Sequence, residues 1–248
     1  SIFASAMRKL VIIPTYNERE NIAPMISHVL SLEGAYDLLV IDDGSPDGTA
    51  AVVRERQAAR DGGRLHLIER SGKLGLGTAY LAGFRWALER DYDLVFEMDC
   101  DFSHDPADLA RLTAEAAKGA DVAVGSRYDR GGRVVNWPAS RLLISYGASL
   151  YVRAATRMPV HDATAGFVCY SRRTLETLDL DGVRMKGYGF QIEMKYTAWR
   201  LGMKIAEVPI VFTERRLGVS KMSGGIFGEA FFGVLKLPFR RFRRKNDR

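Results

Sequence analysis

Residues 94–101 read Leu-Val-Phe-Glu-Met-Asp-Cys-Asp, an apolar run that ends in two acids separated by one residue. The run has the length and composition of a buried strand. Because alternate side chains of an extended segment point to one face, Asp99 and Asp101 can reach a single cation. Two hard oxygen ligands suit Mg²⁺ or Mn²⁺. The same pattern also ends many solvated strands, so by itself it leaves both interpretations open.

Similar apolar runs alternate with amphipathic stretches through the first half of the chain, which is typical of a parallel sheet flanked by helices. The predicted strands are 10–14, 38–41, 65–68, 94–98 and 122–124, and the predicted helices are 20–32, 49–60, 78–90 and 106–118. The second half departs from strict alternation, with predicted helices at 140–157 and 191–201 and a strand at 205–211. We therefore predict an α/β fold with a Rossmann-like, mostly parallel sheet.

Ligands of such open sheets collect at the carboxyl ends of the strands. The segments that follow the predicted strands are 15–18, 42–45, 73–77, 99–101 and 126–128. Among them, Tyr16 offers an aromatic face for a base, and a carboxylate at 42–43 offers an acceptor for a base or ribose. Ser45 and Asp47 are better interpreted as caps of the next helix.

Composition limits the class of protein. The 248 residues carry 36 Lys and Arg against 30 Asp and Glu, and the last ten residues alone hold six basic side chains and one acid. Cys100 and Cys169 are too few for a disulfide framework. No apolar run reaches the roughly 20 residues that a spanning helix needs, so we expect no transmembrane span and a peripheral protein.

Five segments of the chain stand out as motifs: 14–18 (PTYNE), 41–49 (IDDGSPDGT), 72–80 (GKLGLGTAY), 98–106 (MDCDFSHDP) and 125–128 (GSRY). In this order, they resemble the motifs of the dolichyl-phosphate and polyprenyl-phosphate mannose synthases of inverting glycosyltransferase family 2. The resemblance covers residues 7–222. It implies a glycosyltransferase-A fold and a catalytic domain that transfers mannose from GDP-mannose to dolichyl or polyprenyl monophosphate with a β-linked product.

The resemblance also implies roles for individual residues. It gives nucleotide-sugar contacts to Pro14, Tyr16, Glu18, Ile41, Asp43, Asp99, Cys100, Asp101, Arg215 and Lys221. It makes Asp99, Asp101 and Ser103 the ligands of Mg²⁺ or Mn²⁺. Some relatives have Gln in place of Ser103. It implies that Arg127, Arg141 and Ser145 bind the acceptor phosphate. The catalytic residues that it implies are Asp99, Asp101, Arg127, Arg215 and Lys221. Asp162 is a further candidate contact to the sugar.

The chemistry of the implied acceptor fits this set of charges. A phosphate monoester has a second pKa near 6, so it is already an anion at neutral pH and needs no general base. Its approach to a diphosphate is repulsive, and cationic side chains with a metal offset that repulsion. Direct displacement then inverts the anomeric carbon.

The C-terminal segment 223–248 combines apolar residues at helical spacing with the basic cluster. We expect an amphipathic, interfacial segment that holds the protein on the cytoplasmic face of a membrane. The alternative is a core-packing helix with a basic tail. Relatives with membrane spans also make a membrane-anchoring partner subunit an expectation.

Three other functions stay open from the sequence. One is a polyprenyl-phosphate glucosyltransferase or N-acetylhexosaminyltransferase that uses a UDP-sugar. Another is a nucleotide-sugar-binding regulatory subunit without turnover, against which the retained acids and basic residues argue. Nucleic-acid binding through the tail is the weakest of the three, and we expect no nucleic-acid partner.

Overall fold

A seven-stranded sheet forms the centre of the computed structural model, which describes residues 7–61, 63–214, 225–242 and 244–245. The strands are β1 (Lys9–Thr15), β2 (Tyr36–Asp42), β3 (Leu65–Glu69), β4 (Leu94–Glu97), β5 (Val122–Ser126), β6 (Arg133–Val135), β7 (Val168–Ser171), β8 (Ile205–Pro209) and β9 (Val211–Thr213). The large sheet has the order β3-β2-β1-β4-β7-β5-β8, and β6 pairs with β9 in a small second sheet.

All pairings of the large sheet are parallel except those of β7, which runs antiparallel between β4 and β5. Thr15 at the end of β1 lies opposite Asp42 at the end of β2. Cys169 of β7 pairs with Phe96 of β4 and with Ala123 of β5, so these two strands are level across it. The segments that follow β1, β2, β4 and β5 therefore meet at one edge of the sheet.

Helices cover both faces of the sheet. They are α1 (Arg19–Ser31), α2 (Thr49–Arg56), α3 (Leu76–Leu88), α4 (Leu109–Ala117), α5 (Ala139–Thr156), α6 (Arg172–Thr177), α7 (Tyr188–Arg200) and α8 (Gly225–Lys236). Apolar side chains of α1, α2 and α4 form a core on one face, and those of α3, α6 and α7 form a core on the other. Alternation along β1 supplies both, since Ile12 enters one core and Ile13 the other.

The α/β prediction with a mostly parallel sheet is confirmed, and the predicted helices and strands occur within a few residues of their predicted ends. The predicted strand 205–211 was wrong as a single element. It divides into β8 and β9, which belong to different sheets: the Ile210 N–H still donates to Ser126 at the end of β5, the Ile210 carbonyl accepts from Arg133 of β6, and from Val211 onward the chain pairs with β6. Antiparallel β7 was not predicted, since its four residues carry no distinctive pattern.

The described part of the C-terminal segment packs against the rest of the domain. Val234 of α8 and Leu237 are buried in a third apolar cluster with Ile192 and Tyr196 of α7. Phe231 and Phe232 of α8 instead face outward. Among the described residues, no helix has both the length and the apolar content that crossing a membrane requires.

Phe96 provides a direct test of the central core. Its ring is fully buried on β4 and meets the Tyr36 ring edge-on at 5.7 Å. We expect Phe96→Ala to lower the free energy of unfolding by about 3–5 kcal/mol, because truncation leaves a cavity in a packed interior. Phe232→Ala, at an exposed position, should change it by less than about 0.5 kcal/mol. Urea unfolding of both variants checks this, and equal stabilities would contradict the described packing.

Candidate active site

The loop after β4 carries the two acids found in the sequence. Asp101 is buried, whereas the side chain of Asp99 is 43% exposed and opens into a cleft. The same cleft is lined by Tyr80, Gln191 and Arg127, which come from α3, α7 and the end of β5. The edge of the sheet predicted to bind ligands therefore holds a recess with acids on one side and a guanidinium on the other.

Ser103 fixes the orientation of Asp101. Its backbone N–H and its hydroxyl both donate to Oδ1 of Asp101, at 3.0 and 2.6 Å. The intervening Phe102 adopts a left-handed backbone with φ of 57°, which is strained for a bulky side chain. Ser103 thus orients Asp101 and also lines the cleft itself, and its predicted role as a direct metal ligand stays a prediction.

His104 lies behind the acids as a neutral ring. It is buried, stacks on Phe167 at 5.0 Å between ring centroids, and meets Phe212 edge-on at 5.1 Å. Burial lowers the pKa of His104 to about 4, although the charge of Asp101 opposes this. Its Nδ1 is 3.9 Å from Oδ2 of Asp99, which is beyond hydrogen-bonding distance.

The acid loop fits a divalent cation as a partial site. Within the described ranges, no cluster of three or more His, Cys, Asp or Glu side chains is arranged to hold a metal. Asp99 and Asp101 nevertheless supply carboxylate oxygens at an open cleft, which is the donor set for Mg²⁺ or Mn²⁺ whose other ligands are water and phosphate oxygens. A nucleotide would complete such a site.

The loops after β1 and β2 are tied to each other. Asp42 accepts bonds from the Thr15 hydroxyl at 2.9 Å and from the Ser45 N–H at 2.8 Å, so it serves the architecture of the loop. Pro14 and Tyr16 are partly exposed at the same edge, and Nζ of Lys73 lies 5.1 Å from the centre of the Tyr16 ring. The Glu18 carboxylate accepts a bond from the Asn21 amide at 2.8 Å.

Asp43 is held by Arg70, a residue that the sequence analysis missed. Nε of Arg70 donates to Oδ1 of Asp43 at 2.6 Å, and both side chains are about nine-tenths buried. Arg70 also donates to the hydroxyl of Thr78 at 2.8 Å, so it links the end of β2 to the start of α3. Because Arg70 directly follows β3, the rule that ranks residues after strands would have found it.

Arg127 forms a buried, two-point ion pair with Asp162. Nε and Nη2 of Arg127 each donate at 2.7 Å to the two carboxylate oxygens, and its backbone N–H donates at 2.9 Å. Burial raises the pKa of Asp162, but the bonds and charge of Arg127 more than offset this and bring it below its ordinary value. Since Asp162 is fully buried, the expectation that it contacts the sugar was wrong.

The other predicted acceptor residues lie beside Arg127. Nη1 of Arg141 is 2.9 Å from Glu214, and its guanidinium lies 4.0 Å from the centre of the Trp137 ring. The Ser145 hydroxyl accepts a bond from the Tyr128 hydroxyl at 2.7 Å. Two further hollows continue from the cleft along α5, and Arg127 lines both.

The remaining predicted residues differ in what the structure says of them. Arg215 and Lys221 lie outside the described residues. Ile41 is fully buried in the core, and the thiol of Cys100 is also buried, so a nucleotide contact by Cys100 would come from its backbone. The structure brings the other predicted side chains to one edge of the sheet, and their ligand roles stay predictions.

Comparison with known proteins points in the same direction. Residues 10–179 match the model of the family described as glycosyl transferase family 2. The chain is 50% identical to the polyprenol monophosphomannose synthase of Mycolicibacterium smegmatis, over 94% of this chain and 88% of the relative. It is also 50% identical to the undecaprenyl-phosphate mannosyltransferase of Micrococcus luteus, over 93% of each chain.

Solved structures of glucosyl-3-phosphoglycerate synthase from Mycobacterium tuberculosis share the fold. One, in complex with Mn²⁺, UDP-glucose and phosphoglyceric acid, has a TM-score of 0.71 at 21% identity and covers 96% of this chain and 82% of that one. Together with the matching family model, this likeness confirms the predicted glycosyltransferase-A fold.

Gly132 tests how tightly the Arg127 backbone is held. A Cβ at Gly132 would lie 2.6 Å from the carbonyl oxygen of Ser126 and 2.8 Å from that of Arg127. Because backbone cannot rotate away, we expect Gly132→Ala to lower the free energy of unfolding by about 1–3 kcal/mol. Gly147→Ala on α5 has open space and should stabilise by up to about 1 kcal/mol. Thermal unfolding that ranks Gly132→Ala at or above Gly147→Ala would contradict this.

Proposed function

Because the chain belongs to glycosyl transferase family 2, we propose that it transfers mannose from GDP-mannose to dolichyl or polyprenyl monophosphate. The observation that carries the proposal is 50% identity, along nearly the whole chain, to two mannosyltransferases named for polyprenyl phosphates. The cleft supports it, since acids suited to a metal-bound diphosphate face a guanidinium suited to a phosphate.

The proposed donor side comprises the loops after β1, β2 and β4. The Tyr16 ring and the Asp43 carboxylate would contact the nucleoside, and Arg70 holds the Asp43 carboxylate by a hydrogen bond. Asp99 and Asp101 would hold Mg²⁺ or Mn²⁺, and the ion, when bound, would neutralise charge on the departing nucleoside diphosphate. Motif resemblance supports GDP over UDP, so a UDP-sugar donor stays the alternative.

The proposed acceptor side is built around Arg127, with Arg141 and Ser145 beside it. Trp137 and Phe212 lie within 6 Å of the Arg127 guanidinium, so aromatic walls limit the access of water to it. A lipid phosphate placed there would be oriented by fixed N–H groups and needs no general base. Attack on the face of the sugar opposite the diphosphate would invert the anomeric carbon and give a β-linked product.

A substrate comparison tests the proposed reaction. We expect labelled GDP-mannose, incubated with polyprenyl phosphate vesicles and Mn²⁺, to give lipid-linked mannose, with the β configuration shown by NMR. UDP-glucose and UDP-N-acetylglucosamine in parallel should give no lipid product. Product from a UDP-sugar alone would replace the proposed donor, and an α-linked product would contradict inversion. Binding of GDP with no transfer from any of the three donors would favour a regulatory subunit.

Asp101→Asn tests the acid loop without changing its shape. We expect transfer to fall by at least about 100-fold, because a neutral amide binds a divalent cation more weakly than a carboxylate does, and the departing diphosphate needs that cation. Asp105→Asn is the matched control, since Asp105 caps the turn before α4 and Asn caps equally well. Unfolding temperatures of the two variants should agree closely. An Asp101→Asn enzyme with wild-type activity would remove the proposed metal role.

We further propose that the protein contacts the bilayer that carries its acceptor, at the cytoplasmic face. One surface, formed by α5 and α8, exposes Leu143, Ile144, Phe231, Phe232 and Leu235. Tyr151 of α5 stacks on Phe231 of α8 at 4.5 Å, so the two helices present this surface together. Its continuity with the hollows beside Arg127 supports a lipid rather than a protein as the occupant. Basic residues near the C-terminus would add attraction to anionic lipids.

This assignment gives residues 7–222 to the catalytic domain and 223–248 to the interfacial segment. The buried Val234 and Leu237 attach the described part of that segment to the domain, so its exposed side chains, rather than the whole helix, would enter the lipid. A membrane-anchoring partner subunit would act on the same surface and stays part of the proposal.

Point variants of the surface test membrane contact without removing buried residues. We expect the triple variant Leu143→Ser, Ile144→Ser, Phe232→Ser to lower co-sedimentation with anionic liposomes by at least about tenfold, because each exposed side chain would otherwise bury apolar area. Leu74→Ser, at an exposed leucine before α3, is the control and should bind as the wild type does. Unchanged binding of the triple variant would rule this surface out.

A further inference from the structure

A group of buried polar side chains lies on the α3 and α7 side of the sheet, below the acid loop. Glu97 of β4 is fully buried there, as are Tyr80, Tyr170 and Lys195. Within the described part of the chain, the hydroxyls of Tyr80 and Tyr170 have no hydrogen-bond partner, and neither carboxylate oxygen of Glu97 has one of ordinary geometry, although the Gln191 amide is near enough to lower the pKa of Glu97. The proposed reaction uses none of these groups, and buried polar atoms without partners are uncommon in folded proteins.

Lys195 of α7 is the cation of this group. Its Nζ donates to the carbonyl oxygen of Ala165 at 2.7 Å and to Oε1 of Gln191 at 3.4 Å. Burial lowers the pKa of Lys195, while the negative charge of Glu97 opposes that shift. In turn, burial raises the pKa of Glu97, and the charge of Lys195 opposes it. Each of the two charged groups thus makes the other less costly to bury.

The bond to Ala165 connects Lys195 to the acceptor side of the cleft. Ala165 belongs to the segment 162–166, in which Asp162 and Thr164 both accept bonds from Arg127. The charge of Lys195 also helps to keep the pKa of Asp162 below its ordinary value, after the larger effect of Arg127. Ala165 and Gly166 themselves line the cleft. Lys195 is therefore bonded to the backbone of the same segment whose side chains bind Arg127.

Glu97 lies at the last position of β4, two residues before Asp99. Gln191, one turn before Lys195 on α7, lines the cleft together with Asp99, Ala165 and Gly166. Lys195 itself is fully buried and does not line the cleft.

We propose that Lys195 is a positioning residue for the transfer reaction: through its bond to Ala165, its buried ammonium group fixes the 162–166 segment, and through that segment Arg127, at the acceptor side of the cleft. The inference rests on the proposed function. A simpler account makes Lys195 only the counter-ion of Glu97, in which case its removal costs stability and nothing else.

Removal of both charges separates the two accounts. Lys195→Met alone leaves Glu97 buried without its cation and is expected to destabilise the fold. The double variant Glu97→Gln, Lys195→Met removes that charge and should recover most of the lost unfolding temperature. It still lacks the bond to Ala165, so we expect its kcat/KM for polyprenyl phosphate to stay about 10-fold to 100-fold below wild type. Its affinity for GDP with Mn²⁺ should stay within about twofold of wild type, because the donor loops are intact.

Lys9→Met is the matched control. Lys9 is equally buried, in β1, but at the amino end of the strand and so at the opposite edge of the sheet. We expect this variant to lose stability with no change in the KM for polyprenyl phosphate.

A second readout does not depend on transfer. The Nε–H of Arg127 is bonded to Asp162, so its NMR signal, assigned with Arg127→Lys, should exchange slowly with water. In the double variant we expect exchange at least about tenfold faster, because the segment that carries Asp162 is released. Unchanged exchange together with a wild-type acceptor KM would reduce Lys195 to a counter-ion and overturn the inference. Failure of the wild-type protein to transfer mannose, with the exchange effect present, would overturn the proposed reaction instead.

Discussion

Parallel pairing of β1, β2 and β4 is the constraint from which the site follows. Parallel strands in register end at one edge, so the chain segments after them must meet there. The antiparallel strand β7 extends this alignment to β5, because Cys169 pairs with Phe96 on one side and Ala123 on the other. Tyr16 and Arg127, which are more than a hundred positions apart in the chain, are thereby brought to the same edge of the sheet.

Buried charges then fix the loops at that edge. Asp43 with Arg70 and Arg127 with Asp162 each join the end of one strand to a different segment of the chain. Pairs of this kind are weak evidence for stability, since desolvation consumes most of the attraction between the charges. Their effect is geometric, because a buried charge cannot leave its partner without being stranded in a medium of low polarity. Each of these bonds therefore restricts the loop that carries it.

The sequence predicted the parts of the structure that are encoded locally. Strand and helix positions and the acid pair all depend on residues within a few positions of each other. Partners distant in the chain were not predictable in this way: Arg70 is 27 residues from Asp43, and Asp162 is 35 residues from Arg127. The sequence analysis therefore interpreted Asp162 as a sugar contact, whereas its carboxylate is bound by the Arg127 guanidinium. The division of 205–211 depended likewise on a partner, β6, that no local pattern indicates.

The pairing of Arg127 bears on the proposed binding of an acceptor phosphate. Together with Asp162 it has no net charge, so it cannot by itself offset a dianion. The charge of Arg141 is offset less completely by its partner, because the ion pair with Glu214 is about 40% exposed and solvent weakens the attraction. Arg127 would therefore orient a bound phosphate rather than neutralise it. Its Nε and Nη2 donate to Asp162 and Thr164, and among the described contacts Nη1 takes no part in these bonds. A hydrogen-bond donor that is held in this way would not need to reorganise on binding of a phosphate, which is the property that electrostatic preorganisation requires.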